Sequence, residues 1–360
     1  MVALLVFSAL FLAFANGAND NFKGFATVWG TGSLSYRRTL IAATLATVCG
    51  SIVSFFLAQD LVRRFSGKGL VPDAVAADQS FVAAVALGAA STVMVATRIG
   101  MPISTTHALL GGLVGAGAVA SGTGIDLAVL GSGFLLPLLL SPLAAAALGL
   151  GVYMIVRSRR MAADCACLAD PMIAAPALGA TLQLIPAMPQ LVVAPGADCD
   201  RLPVAAVRLS VPGLVDRVHL LSATTICFAR SVNDTPKLAA LLVAGHGAGL
   251  QVSVGSAALM MALGGLLMAR RVAETMSLRI NRMDPTQGVS ANIITAGLVL
   301  MASRFGLPVS TTHVSVGSIA GVGAGAGTLD PGALRSVLLS WVATLPFAAA
   351  ASAIVALVLH

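Results

Sequence analysis

Four charged residues stand inside otherwise apolar stretches of this chain: Asp20, Lys23, Asp234 and Lys237. A charge placed inside hydrocarbon costs about 2.5–3.5 kcal/mol on insertion scales, so each needs a partner or a task. Asp and Lys three residues apart share one helix face, which makes Asp20 with Lys23 and Asp234 with Lys237 candidate ion pairs. Asn19 and Asn233 stand beside them. A single such pair serves equally well to pin two helices together. Its duplication points instead to a site, in which the asparagines line the space and the carboxylates of Asp20 and Asp234 balance the charge of lysine.

A second pattern is also duplicated. Arg98-Ile99-Gly100-Met101-Pro102-Ile103-Ser104-Thr105-Thr106-His107 recurs as Arg304-Phe305-Gly306-Leu307-Pro308-Val309-Ser310-Thr311-Thr312-His313. Proline biases the residue before it away from helix, and Ser or Thr then caps the helix that follows. The pattern predicts a membrane helix interrupted at mid-depth. A capped helix start offers free N–H groups and a partial positive charge, which is an anion site. Two starts facing each other, with Ser104, Thr105, Thr106, Ser310, Thr311 and Thr312 as donors, would replace the hydration shell of a tetrahedral oxyanion. The plainer alternative is two ordinary caps, with nearby glycines permitting close packing. His107 and His313 are candidates for proton relay or metal binding, although a lone helical histidine is more often a hydrogen-bonded packing residue. Arg98 and Arg304 precede the breaks and either snorkel to the interface or attract the anion. Arg230 has Asn16, not a base, at the matching place in the first half, a source of asymmetry without an assigned role.

The elements that must position these residues are membrane helices. The chain is 58% hydrophobic and 10% charged, with mean hydropathy +0.94, too little charge to cover a water-soluble surface. Apolar segments fall at about 2–28, 38–58, 80–96, 103–120 and 126–156, then 218–244, 247–269, 287–303, 309–327 and 333–359. The first lacks a basic leader region and runs straight into Asn16-Gly17-Ala18-Asn19-Asp20, so it is read as a membrane helix and not a cleaved signal. Three regions result: a first membrane repeat (1–156), a central cytoplasmic loop (157–217) and a second membrane repeat (218–360). Phe14-Ala15 before Asn19-Asp20 matches Phe228-Ala229 before Asn233-Asp234, and Gly111, Gly115 and Gly117 match Gly317, Gly321 and Gly323.

Orientation follows from the arginines. With the N-terminus outside and ten crossings, Arg37 and Arg38, then Arg157, Arg159 and Arg160, then Arg270, Arg271, Arg279 and Arg282 all fall in the cytoplasm. The neighbouring outer loops, 121–125 and 245–249, carry no Lys or Arg. Both termini then lie outside, and because five is odd the second half is inverted. Making the fourth and ninth segments re-entrant would put the Arg270–Arg282 cluster outside, so ten crossings are preferred. The fold class expected is an all-α polytopic membrane protein of two inverted five-segment repeats, with broken helices at the substrate site. The formal charge of +7 lies in short loops without interleaved aromatics, which fits topology better than a nucleic-acid partner. Cys165, Cys167 and Cys199 lack the second pair or the histidines that a zinc site needs and are read as reduced and incidental. No P-loop, metal cluster or nucleophile beside a base supports a phosphate-transferring enzyme.

With these residues in view the chain resembles the inorganic phosphate transporter (PiT) family, whose signatures are Gly-Ala-Asn-Asp and Pro-x-Ser-Thr-Thr-His in each half. The first is intact at Gly17–Asp20 and reduced to Ser231-Val232-Asn233-Asp234 in the second half; the other is intact at Pro102–His107 and Pro308–His313. The resemblance implies an inverted-repeat symporter of the inner membrane, a phosphate site at the helix breaks, no cofactor beyond a coupling ion, sodium near Asp20 and Asp234 or a proton relayed by those carboxylates, and commonly a homodimer. Family members typically carry Asn where this chain has Lys23 and Lys237. An ammonium there would occupy the space and charge of a coupling sodium or contact the anion directly, and transport is expected to be independent of sodium. The rival expectations are a sulfate or other oxyanion permease of the same fold, and a phosphate-binding sensor or channel.

Overall fold

The structure, a computed structural model, describes residues 1–122, 124–157, 165–169, 172–176, 182–186, 188, 190–194, 204–246, 249–278 and 283–359. Arg159, Arg160, Cys199, Arg279 and Arg282, with residues 123, 247 and 248 of the expected outer loops, lie outside the described residues.

The first apolar stretch is helix α1 (Val2–Asp20), which tightens into a 3-10 turn at Lys23–Phe25 and resumes as α2 (Ala26–Gly30). α3 (Tyr36–Leu57), the short α4 (Gln59–Phe65) and α5 (Asp73–Ala76), α6 (Gln79–Arg98) and α7 (Thr105–Ser121) follow. A π-helical turn at Val129–Leu135 leads into α8 (Leu136–Arg157). The second half runs α9 (Val211–His246), α10 (Leu250–Met268), α11 (Arg270–Leu278), α12 (Pro285–Arg304), α13 (Thr311–Ala326) and α14 (Pro331–Leu359). Among the described residues six stretches are long and apolar enough to cross a bilayer: Val2–Gly30, α3, α6, Val129–Ile155, α10 and α14. α7 and α13, at 17 and 16 residues, start inside the protein.

Between the halves the all-α label is corrected, since the described parts of the central segment include strands. Among the described residues five strands form there: β1 (Cys165–Ala169), β2 (Met172–Pro176), β3 (Leu182–Pro186), β4 (Gln190–Ala194) and β5 (Val204–Ser210). They pair antiparallel as a sheet of order β4-β1-β5 and a separate β2-β3 ribbon. Apolar pieces this short cannot nucleate helices, but they are long enough to pair as strands. Cys165 and Cys167 are buried against Val192. β5 leads directly into α9, which begins seven residues before the apolar run at 218.

Packing repeats between the halves. α1 packs on α6 and α10, while its counterpart α9 packs on α12 and α3. α7 packs on α14, and α13 on α8. Glycines set how closely these pairs approach. A Cβ on Gly115 would stand 2.0 Å from the Ala349 carbonyl oxygen, and one on the matching Gly321 would stand 2.0 Å from that of Ala146. Each half thus lends its last long helix to the broken helix of the other.

Candidate functional site

The two breaks are built alike. α6 ends on Gly100 at φ +78° and α12 on Gly306 at φ +63°, a left-handed conformation that glycine adopts without a Cβ clash. Met101 N–H then donates to the Ala96 carbonyl at 2.9 Å and Leu307 N–H to Ala302 at 2.8 Å, closing a Schellman motif at each end. Proline follows one residue later. Ser104 and Ser310 cap the next helices, accepting from His107 N–H at 3.1 Å and His313 N–H at 3.3 Å. The cap expected from the sequence is therefore present in both copies.

The starts of α7 and α13 face each other inside the protein, and the two lysines cross between them. Lys23 Nζ donates to the Asp20 carboxylate, to the Ile103 carbonyl at 2.8 Å and to Thr312 Oγ1 of the other half. Lys237 Nζ donates to Asp234 Oδ1 at 3.4 Å, to the Val309 carbonyl at 2.9 Å and to Thr106 Oγ1 of the other half at 2.8 Å. The threonines cross too, Thr312 donating to the Ile103 carbonyl at 3.0 Å and Thr106 to that of Val309 at 3.3 Å. Both ion pairs suggested by the three-residue spacing are formed, and each ammonium binds a carboxylate, a carbonyl and a hydroxyl.

Asparagines hold the breaks to the charged helices. Asn19 Nδ2 donates to Thr97 Oγ1 (2.9 Å) and the Met101 carbonyl (3.0 Å), while its Oδ1 accepts from Ile103 N–H (3.2 Å). Asn233 Nδ2 reaches the Val309 carbonyl (3.2 Å) and Thr311 Oγ1 (3.3 Å), and its Oδ1 accepts from Ser303 (3.3 Å). Thr105 Oγ1 donates to Asp20 Oδ2 at 3.3 Å. His107 and His313 meet with ring centroids 4.4 Å apart, and His313 stacks on Trp341 at 3.7 Å. Neither His107 Nδ1 nor His313 Nε2 has a hydrogen-bond partner. The Asn, Asp, Lys, Ser, Thr and His residues singled out from the two motifs are all buried here. Arg98 and Arg304 are exposed and stand apart from the cluster.

Two residues that sequence reasoning left without a role sit at its centre. Asn16 Nδ2 lies 3.2 Å from Asp20 Oδ2, 3.0 Å from Thr105 Oγ1 and 3.3 Å from Asp234 Oδ2, bridging both carboxylates. Arg230 Nη1 donates to Asn16 Oδ1 at 3.1 Å, and Nη2 to Thr47 Oγ1 at 2.8 Å. The available signal was polarity inside an apolar run: Asn16 lies one helical turn before Asp20, and Arg230 one turn before Asp234. Asn16, Thr105, Thr106, Asp234 and Lys237 border a space too small for a water molecule. Among the described residues no group of three His, Cys, Asp or Glu side chains could hold a metal ion.

Long apolar helices wrapped around a duplicated, buried charge cluster at two facing helix breaks define a multi-pass helical membrane protein. Comparison with known proteins then fixes the family. The model of the phosphate transporter family (PHO4) matches residues 3–352, and the chain belongs to that family. A relative from Pyrococcus abyssi bearing the name of a phosphate permease is 27% identical over 98% of this chain and 96% of its own length. The chloroplastic inorganic phosphate transporter 2-1 of Arabidopsis thaliana is 27% identical over 96% of this chain and 70% of its own. A solved structure described as the sodium-dependent phosphate transporter superposes with a TM-score of 0.79 at 20% identity, covering 99% of this chain and 98% of that one, which establishes a shared fold. The family is one of transporters, and the enzyme alternative falls with it.

Proposed function

We propose that this protein is a secondary active symporter that moves inorganic phosphate across the inner membrane by alternating access. The observation that carries the reading is the crossed clasp, in which the lysine of each half grips the helix start of the other. The clasp joins the two halves at the substrate site, so rocking one half against the other opens the site and exposes the two helix starts. A phosphate oxyanion takes N–H groups there, with the hydroxyls of Ser104, Thr105, Thr106, Ser310, Thr311 and Thr312 as further donors. Each ammonium already has three protein oxygens, the kind of oxygen set that a sodium ion would require. Coupling therefore runs through protons, with Asp20, Asp234 and the His107–His313 pair as carriers, and lysine stands in for sodium.

Inverted repeats fit the same contacts. Were α6–α7 and α12–α13 full crossings in inverted halves, their tips would lie on opposite faces, about 30 Å apart. The tips instead hydrogen-bond to each other, Thr106 to Val309 and Thr312 to Ile103. Each pair is thus a hairpin that dips into the bilayer and returns to the side it left, and every other loop keeps the side that the arginine count gives. The β insertion is then cytoplasmic, with both termini outside, and the assembly we propose from the family resemblance is a homodimer.

Uptake of radiolabelled phosphate into proteoliposomes, with sodium and proton gradients imposed separately and sulfate as competitor, tests this reading. Expected are accumulation driven by protons alone, no competition by sulfate, and sodium stimulation gained in Lys23→Asn/Lys237→Asn. Uptake by the unaltered chain that rises steeply with sodium would sink the sodium-independent part, and competition by sulfate would shift the substrate. Phosphate binding without movement against a gradient would leave a sensor or channel.

A further inference from the structure

A second buried polar group lies outside the charged cluster. Thr27 stands one helical turn beyond Lys23, and its Oγ1 is 2.9 Å from His219 Nε2 and 3.3 Å from Asn292 Nδ2. Asn292 Nδ2 also donates to Ser222 Oγ at 3.1 Å. One turn further along α12, Thr295 Oγ1 is 2.7 Å from Ser318 Oγ of α13. All six side chains are buried, His219 completely. Gly288 leaves the imidazole its seat, since a Cβ there would stand 2.3 Å from Nε2. Two buried atoms of this seam, His219 Nδ1 and Ser277 Oγ, have no hydrogen-bond partner. Ser277 and Thr27 border a cavity of about 10 Å³, room for one water molecule.

The other half has apolar or small residues at the same places. By the spacings of the two duplicated motifs, His219 matches Leu5, Thr27 matches Leu241, Asn292 and Thr295 match Ala86 and Ala89, and Ser318 matches Gly112. Leu5, Ala86, Ala89 and Leu241 are all part of one apolar core. Exact repeats would build two equal seams, one on either side of the helix breaks. Here one is polar and one apolar. The polar one runs from the breaks toward the turn after α2, the start of α9 and α11, the side that the arginine count gives to the cytoplasm.

We propose that this seam is the inner half of the phosphate path and forms a second, weaker oxyanion site through which phosphate passes from the helix breaks to the cytoplasm; the inference rests on the transport function proposed above. Thr27, His219, Ser222 and Asn292 bring donors and no carboxylate. Hydrogen bonds from neutral donors hold an anion less tightly than ammonium or guanidinium contacts do, which suits a site that passes its ligand on. While the seam is closed the four side chains bond to one another across α2, α9 and α12. Moving α12 away from α2 and α9 frees the donors as the path opens. The acidic groups whose charge reaches His219 stand at the mouth of the seam, Asp216 exposed beside Arg217 and Asp284 capping α12. On the opposite side the apolar seam offers an oxyanion no donor, so entry there depends on the breaks alone.

Equilibrium dialysis of radiolabelled inorganic phosphate against the purified full chain in detergent tests this. Expected are two phosphates per chain, the second bound about tenfold or more weakly than the first. Asn292→Ala and, separately, Thr27→Val should weaken the second site about fivefold, as loss of one neutral donor predicts, and leave the first within about twofold. Asn292→Asp sets a carboxylate against the anion and should abolish the second site. In inside-out membrane vesicles the same variants should raise the KM of phosphate, and in right-side-out vesicles they should leave it unchanged, a sidedness that general damage to the fold would not produce. One phosphate per unaltered chain, or equal changes of KM on both faces, overturns the proposal. The stoichiometry of the unaltered protein decides even if the variants fail to fold. No bound phosphate and no uptake by the unaltered chain would instead remove the transporter reading itself.

Discussion

Lys23 and Lys237 each exchange water for a carboxylate, a carbonyl and a threonine hydroxyl, and the threonine always comes from the other half. A buried pair of this kind adds little net stability, because desolvating both charges offsets most of their attraction. Breaking it is another matter. Asp20→Asn leaves the Lys23 ammonium buried beside neutral groups, which costs about 3–5 kcal/mol. The double change Asp20→Asn/Lys23→Met removes both charges and should recover most of that loss. Thermal unfolding of the purified protein in detergent checks this: the single variant should melt well below the double, and equal melting would mean that the pair is not buried as described. Neither variant should transport, since both lack the carboxylate that bridges Asn16 and Thr105.

At the scale of elements, the breaks are determined locally and the contacts between them are not. Glycine, proline and serine at fixed offsets end α6, turn the chain and start α7, and the same residues repeat the operation between α12 and α13. Holding the broken helices in place depends on glycine faces against α14 and α8. Gly115→Ala and Gly321→Ala each force a Cβ onto a backbone oxygen, an overpacking that costs roughly 1–3 kcal/mol or more. Gly255→Ala and Gly297→Ala, at helical positions with no atom within 4 Å, should be neutral or gain about 1 kcal/mol of helix propensity. Melting temperatures and transport rates of the four variants should divide two against two, and a uniform effect would count against the close packing. These glycines were legible as repeats, but their partners were not, because the helices they touch are supplied by the opposite half.

At the scale of the whole molecule, sidedness is the testable property. In a background lacking Cys49, Ser121→Cys and Gly249→Cys should react with a membrane-impermeant thiol reagent added outside intact cells. Ser33→Cys and Thr328→Cys should react only after the membrane is opened. Labelling of Ser33→Cys from outside would reverse the arginine-based orientation. The amino-acid sequence by itself determined that this is a membrane protein of two repeats, where its helices break, and which aspartates pair with which lysines, because hydropathy, caps and i, i+3 spacing act over a few residues. Its limits are equally physical. The short apolar pieces of the central region became strands only through pairing with partners elsewhere in that region. The role of Asn16 and Arg230 emerged only when the two halves met, and so did the exchange of threonines between them, because contacts made across some two hundred residues depend on how the repeats dock and leave no local pattern in the chain.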